Sequence, residues 1–330
     1  LCRLADWGVG ACLADDMGLG KTLQMLTFIQ EQKNRNPKGV HLVVVPKTLI
    51  FNWQAEAAKF CPELRLYVHT GPQRTKNIRI FSRYDIILST YGSVRSDIEL
   101  LREFRFHYVI LDEAQAIKNP DSMIAKAAKL LNAQNRLTMT GTPVENNTFD
   151  LYSQFDFLNP GFLGHEDFFR AEYANPIDKY QDKTRAAELR RLVYPFMLKR
   201  TKEEVAKDLP EKTETVLYCE MDKRQRKVYN AFKDKYRDLI AGKMAEVGRE
   251  QAAFLILEGL LKLRQICDSP ALLSDDEDYG HESVKLDEIV REIEENASHH
   301  KIVIFSQFLK MLDLIKQKLE RDRIPYEYLD

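Results

Sequence analysis

The stretch ACLADDMGLGKTLQ, Ala11 to Gln24, decides the fold. A short apolar run, GACLA (10–14), enters a glycine-bearing turn, and an amphipathic stretch opens at Lys21–Thr22. Strand, glycine turn and helix start form the context in which G-x-x-x-x-G-K-[ST] is a phosphate-binding loop. Gly20, Lys21 and Thr22 fit the end of that pattern, but Asp15 stands where its first glycine belongs. The substitution need not spoil the loop. Gly18 and Gly20 supply the tight turns, and backbone amides that face phosphates do not depend on side-chain identity. In this reading Asp16, Met17, Gly18, Leu19 and Gly20 wrap the phosphates of ATP. Lys21 sits on the β- and γ-phosphates, and the Thr22 hydroxyl holds Mg²⁺.

Working outward, short β-rich runs alternate with helical stretches as far as about Thr140. The strand candidates are HLVVVP (41–46), YDIILS (84–89), HYVILD (107–112) and RLTMT (136–140), separated by Thr22–Lys33, Asn52–Phe60 and Ser122–Leu131. Nearly continuous apolar strands separated by helices predict an α/β fold whose parallel sheet is covered on both faces. Ligands of such sheets sit outside the carboxyl ends of the strands. That rule places 16–22, Pro46, Ser89–Gly92, Asp112–Glu113 and Gly141–Pro143 along one rim. In VILDEAQ (109–115), Asp112 is positioned to hold Mg²⁺ through water, and Glu113 to orient or deprotonate a water attacking the γ-phosphate. The bland alternative is a pair of acids capping the next helix.

From Asn146 to about Leu209 the pattern turns to helices and loops rich in Phe, Tyr and charge. A strand, TVLYCEM (215–221), and two long helical stretches, Asp222–Met244 and Gln251–Ile266, come next. SDDEDYGHE (274–282) has the composition of an exposed loop and lacks calcium-loop spacing. The chain then reads helix (Lys285–Ala297), strand (KIVIFS, 301–306), helix (Phe308–Asp322) and a strand start at Tyr326–Leu329, the opening of a second α/β domain.

Of the 330 residues 44% are hydrophobic and 30% charged, with a net charge of −1. Bulk charge therefore draws in neither nucleic acid nor membrane, and a polyanion partner has to be held by a local basic strip. Five scattered cysteines without a C-x-x-C pair argue against a zinc site or a disulfide framework and fit a reducing compartment. No apolar run approaches the roughly 18 residues of a membrane span. The chain begins at Leu1 with no signal-peptide pattern, which points to a piece of something longer.

LADDMGLGKT, DEAQ and TGTPVENN, with LRQICDSP and IVIFSQF downstream, resemble the Swi/Snf-type ATPases, double-stranded-DNA translocases of the second helicase superfamily. In that family an acidic residue commonly replaces the first loop glycine, so Asp15 is normal for this branch. TGTPVENN followed by DLYSQFDFLNPGFLG is similar to bacterial and archaeal members. The resemblance implies two RecA-like lobes with ATP between them and DNA across their face. It assigns residues 1–205 to the first lobe, with a helical protrusion at about 146–195. Residues 206–280 become linker, strand and second protrusion, and 281–330 the start of a truncated second lobe. VVPKTLIFNW (44–53) matches a segment that approaches the DNA backbone, so Pro46, Lys47 and Asn52 are DNA candidates. STYGS (89–93) matches the next, with Ser89, Thr90, Tyr91 and Gly92, and Ser306 and Gln307 match a DNA-facing element of the second lobe. Small hydroxyls and backbone amides suit phosphate positioning without base readout. Gln115 of DEAQ, together with Thr140, Gly141 and Thr142, belongs to the relay from nucleotide state to DNA contacts. FMLKRTK (196–202) matches the hinge, which gives Lys199 and Arg200 a coupling role in preference to that of a plain surface pair.

Against the same resemblance, the glutamine element that reads adenine is absent upstream of LCRLADWGVG. The chain also stops at Asp330, before the later second-lobe motifs with their arginine fingers, worth roughly 10³ to 10⁵ in related phosphoryl transfers. The expectation is weak nucleotide binding and very slow hydrolysis by these 330 residues, a DNA-stimulated ATPase in the parent, and a self-association surface at Val303, Ile304 and Phe305. Protein–DNA complexes are the implied substrate, and the implied location is cytoplasmic and nucleoid-associated in a bacterium, nuclear in a eukaryote. A strand-separating helicase and a non-catalytic nucleotide- or DNA-binding module stand as alternatives. Trp53, on an amphipathic helix, reads as core rather than as a DNA-stacking group.

Overall fold

Runs buried on both faces pair in parallel, and that pairing organises the first of the two units into which the chain divides, Leu1–Glu211 and Lys212–Asp330. The computed structural model describes residues 1–141, 148–208, 210, 212–247, 249–273, 279–280 and 283–329, with backbone alone for those between 244 and 252. Thr142, the rest of TGTPVENN and most of the acidic loop at 274–282 lie outside the described residues.

The sheet of the first unit has seven strands: β1 (Ala11–Leu13), β2 (His41–Val45), β3 (Leu66–His69), β4 (Ile86–Thr90), β5 (Phe106–Leu111), β6 (Ala133–Met139) and β7 (Met197–Leu198). Their order is β3-β4-β2-β5-β6-β1-β7, and every pairing is parallel. Side chains alternate between two cores, as a period of two requires. Leu42, Val44, Val109 and Leu111 enter one, and Val43, Val45, Tyr108 and Ile110 the other. Helices α1 (Lys21–Arg35) and α2 (Ile50–Phe60) cover the second core through Met25, Leu26, Ile29, Trp53 and Ala57. Helices α3 (Tyr91–Ser96), α4 (Met123–Leu130) and α5 (Thr148–Leu158) cover the first through Tyr91, Ala125, Ala128 and Phe157. β1, β2 and β4 are buried along their whole length and β5 nearly so, which is why their apolar runs were nearly continuous.

The helical insertion has its own cluster, in which Leu151, Phe155 and Phe169 meet Leu189 and Val193 of α6 (Lys183–Val193). It is fastened to β1 through Asn159, whose Oδ1 accepts from the Gly10 amide at 2.8 Å while its Nδ2 donates to the Gly10 carbonyl at 3.2 Å. A Cβ at Gly10 would lie 2.5 Å from the Leu158 carbonyl oxygen, so only glycine allows this approach.

In the second unit, α7 (Lys223–Val247) and α8 (Arg249–Asp268) pair around Phe232, Tyr236 and Ile266. Helices α9 (Val284–Asn296) and α10 (Leu309–Arg321) share Leu286, Ile293, Met311 and Ile315. Here the sequence expectation needs correcting. Neither 215–221 nor 301–306 is a strand, and among the described residues the second unit has none. An apolar, β-prone run becomes a strand only when a neighbour completes its ladder, and no such pairing forms here. Ile304 packs against the α9–α10 cluster, whereas Val303 is 74% and Phe305 91% exposed. No helix among the described residues is long and apolar enough to cross a membrane.

Candidate functional site

Six parallel strands deliver chemistry to one rim. From β1 the chain enters the loop 14–20, in which Gly18 (φ 85°) and Gly20 (φ 73°) take the left-handed backbone that side chains disfavour, whereas Asp15 does not. This is the physical reason that Asp15 can replace a glycine. α1 then starts at Lys21 with Gly20 as its N-cap, and no side chain caps it. Met17, Gly18 and Gly20 are exposed. The Lys21 ammonium donates to the Asp15 carbonyl oxygen at 2.8 Å. Uncapped amides, the positive end of the helix dipole and an ammonium together make an anion receptor.

β5 leads directly into Asp112, which is 4% exposed. Its Oδ1 accepts the Glu113 amide at 2.9 Å and its Oδ2 the Trp53 indole N–H at 2.8 Å, while the Tyr91 hydroxyl donates to its carbonyl oxygen at 2.6 Å. Burial raises the Asp112 carboxyl above the usual carboxylate range. The Trp53 bond and the Lys21 charge oppose that rise, and the Glu113 charge adds to it. Glu113 itself adopts left-handed backbone (φ 48°, ψ 58°), a costly conformation for a residue with a side chain and one that clusters at functional sites. Gln115 donates from Nε2 to Glu113 Oε2 at 2.8 Å, and Thr140, just past β6, donates to Gln115 Oε1 at 3.1 Å. Gly141 follows, where a Cβ would lie 3.2 Å from Met17 Cγ and 3.8 Å from Lys21 Nζ. The relay Glu113–Gln115–Thr140 therefore ends beside the phosphate loop.

β7 brings a connection that sequence reasoning missed. Asp15, wholly buried, accepts from the Arg200 amide at 3.0 Å and from its guanidinium on both oxygens. Gln24 bridges the pair, donating to Asp15 at 3.2 Å and accepting from Arg200 at 2.8 Å. Burial pushes the Asp15 carboxyl up, but the Arg200 and Gln24 bonds outweigh it and hold it below the ordinary value. The backbone adds to this union, with the Asp16 amide donating to the Arg200 carbonyl and the Lys202 amide to Asp16 Oδ2, both at 3.0 Å. Lys199 is exposed.

At the ends of β2 and β4 the DNA candidates divide. Lys47 and Asn52 are exposed, Pro46 is half-buried, and Asn52 Nδ2 donates to Glu56 at 3.1 Å. Gly92 is exposed with open space around it. The expectation for Ser89, Thr90 and Tyr91 is corrected at the level of their side chains, because a central strand end buries all three. Ser89 donates to the His69 carbonyl at 2.8 Å, Thr90 caps α3 by accepting from Ser93, and Tyr91 serves Asp112. In the second unit, the Ser306 hydroxyl accepts from the Phe308 amide at 3.2 Å at the start of α10, and Gln307 is bonded to Arg264.

A parallel sheet with a glycine loop at one strand end and paired acids two strands away defines a RecA-like nucleotide-binding α/β fold. The model of the SNF2-related domain matches residues 2–272, and the chain belongs to that family. It is 37% identical over 97% of its length to YwqA of Bacillus subtilis, which is named for an ATP-dependent helicase/translocase, and covers 36% of that protein. It is 32% identical to the ISWI chromatin-remodeling complex ATPase CHR17 of Arabidopsis thaliana, covering 97% of this chain and 31% of that one. Among solved structures, it superposes on the SWI2/SNF2 ATPase core of Sulfolobus solfataricus in complex with double-stranded DNA. The TM-score is 0.61 at 39% identity, over 97% of this chain and 67% of that one. The chain thus spans about a third of the length of YwqA and of CHR17.

Proposed function

We propose that the chain carries the ATP-binding lobe of a motor that hydrolyses ATP to move along duplex DNA and remodel protein–DNA complexes. The observation that carries this reading is the line of groups at the ends of β5, β6 and β1, where Glu113, Gln115, Thr140 and Lys21 meet. The residues fit Mg-ATP. α1 opens without a side-chain cap, the loop is exposed, and among the described residues the Lys21 ammonium is bonded to a carbonyl oxygen that a phosphate can replace. Bound Mg-ATP supplies the phosphoanhydride bond and a cation that neutralises its charge. Lys21 and the amides of 17–22 bind the phosphates, and the Thr22 hydroxyl and Asp112 hold the metal side. Gln115 fixes one oxygen of Glu113, leaving the other to orient a water and take its proton. Pro46, Lys47, Asn52 and Gly92 receive the DNA backbone. Kinship to a core solved with double-stranded DNA supports that partner, and location follows the host, beside the nucleoid or in the nucleus.

Calorimetry tests the site. Lys21→Ala abolishes Mg-ATP binding, whereas Glu113→Gln preserves binding and removes turnover; unchanged binding in the first variant places the nucleotide elsewhere. In the whole protein, duplex DNA raises the ATPase rate without unwinding a forked duplex. Equal rates with and without DNA sink the motor reading, and unwinding replaces it with a strand-separating helicase.

A further inference from the structure

Trp53 is wholly buried, yet its one polar atom ends on the carboxylate assigned to the metal side. It sits on α2, which begins three residues after Lys47 and carries Asn52 on its exposed face. The other buried donor to Asp112, the Tyr91 hydroxyl, heads α3, which begins one residue before Gly92. Both segments assigned to the DNA backbone thus reach inward to the same residue. Asp112 Oδ1 is taken by its neighbour's amide, so the indole N–H is the contact through which a distant element sets the carboxylate's rotation. Buried indoles take whatever acceptor is near. Here that acceptor lies 59 residues away, at the centre of the strand-end rim.

We infer that Trp53 is a positioning residue through which α2 holds the Asp112 carboxylate in its metal-holding orientation, so that a polyphosphate backbone seated on Lys47 and Asn52 alters the grip on Mg²⁺. The inference rests on the proposed function and goes beyond it by naming the link. Outer partners of a metal-holding group are worth about ten- to a hundredfold in metal affinity. Phe in place of Trp53 keeps most of the apolar filling and removes only the donor.

The chain holds two tryptophans, and the other, Trp7, is 74% exposed. In a Trp7→Phe chain all indole emission comes from Trp53. Mg-ADP then shifts that emission, ADP with a chelator does not, and a short duplex DNA shifts it again. In Trp53→Phe, metal-free ADP binds as in the unaltered chain, the Mg²⁺-dependent gain in affinity falls about ten- to a hundredfold, and duplex DNA binds equally well but no longer changes that gain. The inference is overturned if Trp53→Phe keeps the full gain and its DNA dependence, or if Trp53 emission ignores Mg-ADP. Should Trp53→Phe fail to fold, the emission measurement decides alone. An unaltered chain that binds no Mg-nucleotide removes the proposed function together with this link. An unaltered chain that shows both effects, beside a variant that retains them, removes the link only.

Discussion

Asp15 shows how a departure from a motif becomes a structural asset. At that place the loop requires no left-handed backbone, so a side chain is tolerated, and the carboxylate it brings anchors Arg200 and Gln24. Asp15→Gly, which restores the commoner loop pattern, is therefore expected to weaken the protein. It removes an acceptor that Arg200 and Gln24 share and releases extra backbone freedom in the unfolded chain. Arg200 remains 39% exposed, so water replaces part of what is lost. The expected cost is about 1–2 kcal/mol in urea denaturation. A gain in stability would show that Arg200 is held by something else.

At the scale of elements, the two ends of the strands have been given opposite chemistry. The carboxyl ends carry the polar site, while the amino end of β2 carries His41, fully buried and stacked on Tyr108. Neither of its ring nitrogens has a partner among the described residues. Burial drives its pKa down to about 3; neighbouring His107 adds to the fall, and Asp85 partly opposes it. The folded form holds His41 neutral, so its stability contribution is complete above the unfolded value of 6.5 and is lost as pH falls from there toward 3. At pH 4.5 the expected loss is about 2–3 kcal/mol. His41→Phe preserves the stack and should flatten the melting temperature between pH 6.5 and 4.5; an unchanged slope would assign the acid sensitivity to another group. Asp85 acts later. Burial alone would raise it, but Arg65 and Lys33 bring it down to about 2, so its contribution is lost only below about 3.8.

At the scale of the whole molecule, the first unit has cores on both faces of a seven-stranded sheet, while the second is built from helix pairs. Between Val205 and Lys223 the described residues form neither helix nor strand, and most are exposed. Trypsin should therefore cut first around Lys207 and Lys212, leaving an N-terminal product that still binds Mg-ADP. First cuts inside the sheet unit would contradict this order of stability.

Five of the seven strands, the phosphate loop and the paired acids were legible in the sequence. Continuous apolar runs can be satisfied only inside a sheet covered on both faces, and glycine spacing dictates a tight turn locally. Those are short-range demands, written within a dozen residues. β3 and β7 escaped because short edge strands carry little pattern, and TVLYCEM and KIVIFS misled because a strand depends on a neighbour that its own residues do not encode. Tertiary structure alone decided that Trp53 serves Asp112, that Arg200 meets Asp15, and that the Ser89 and Tyr91 hydroxyls turn inward. Each of those is a hydrogen bond between groups far apart in the chain, and its partner is chosen only when the strands take their places side by side.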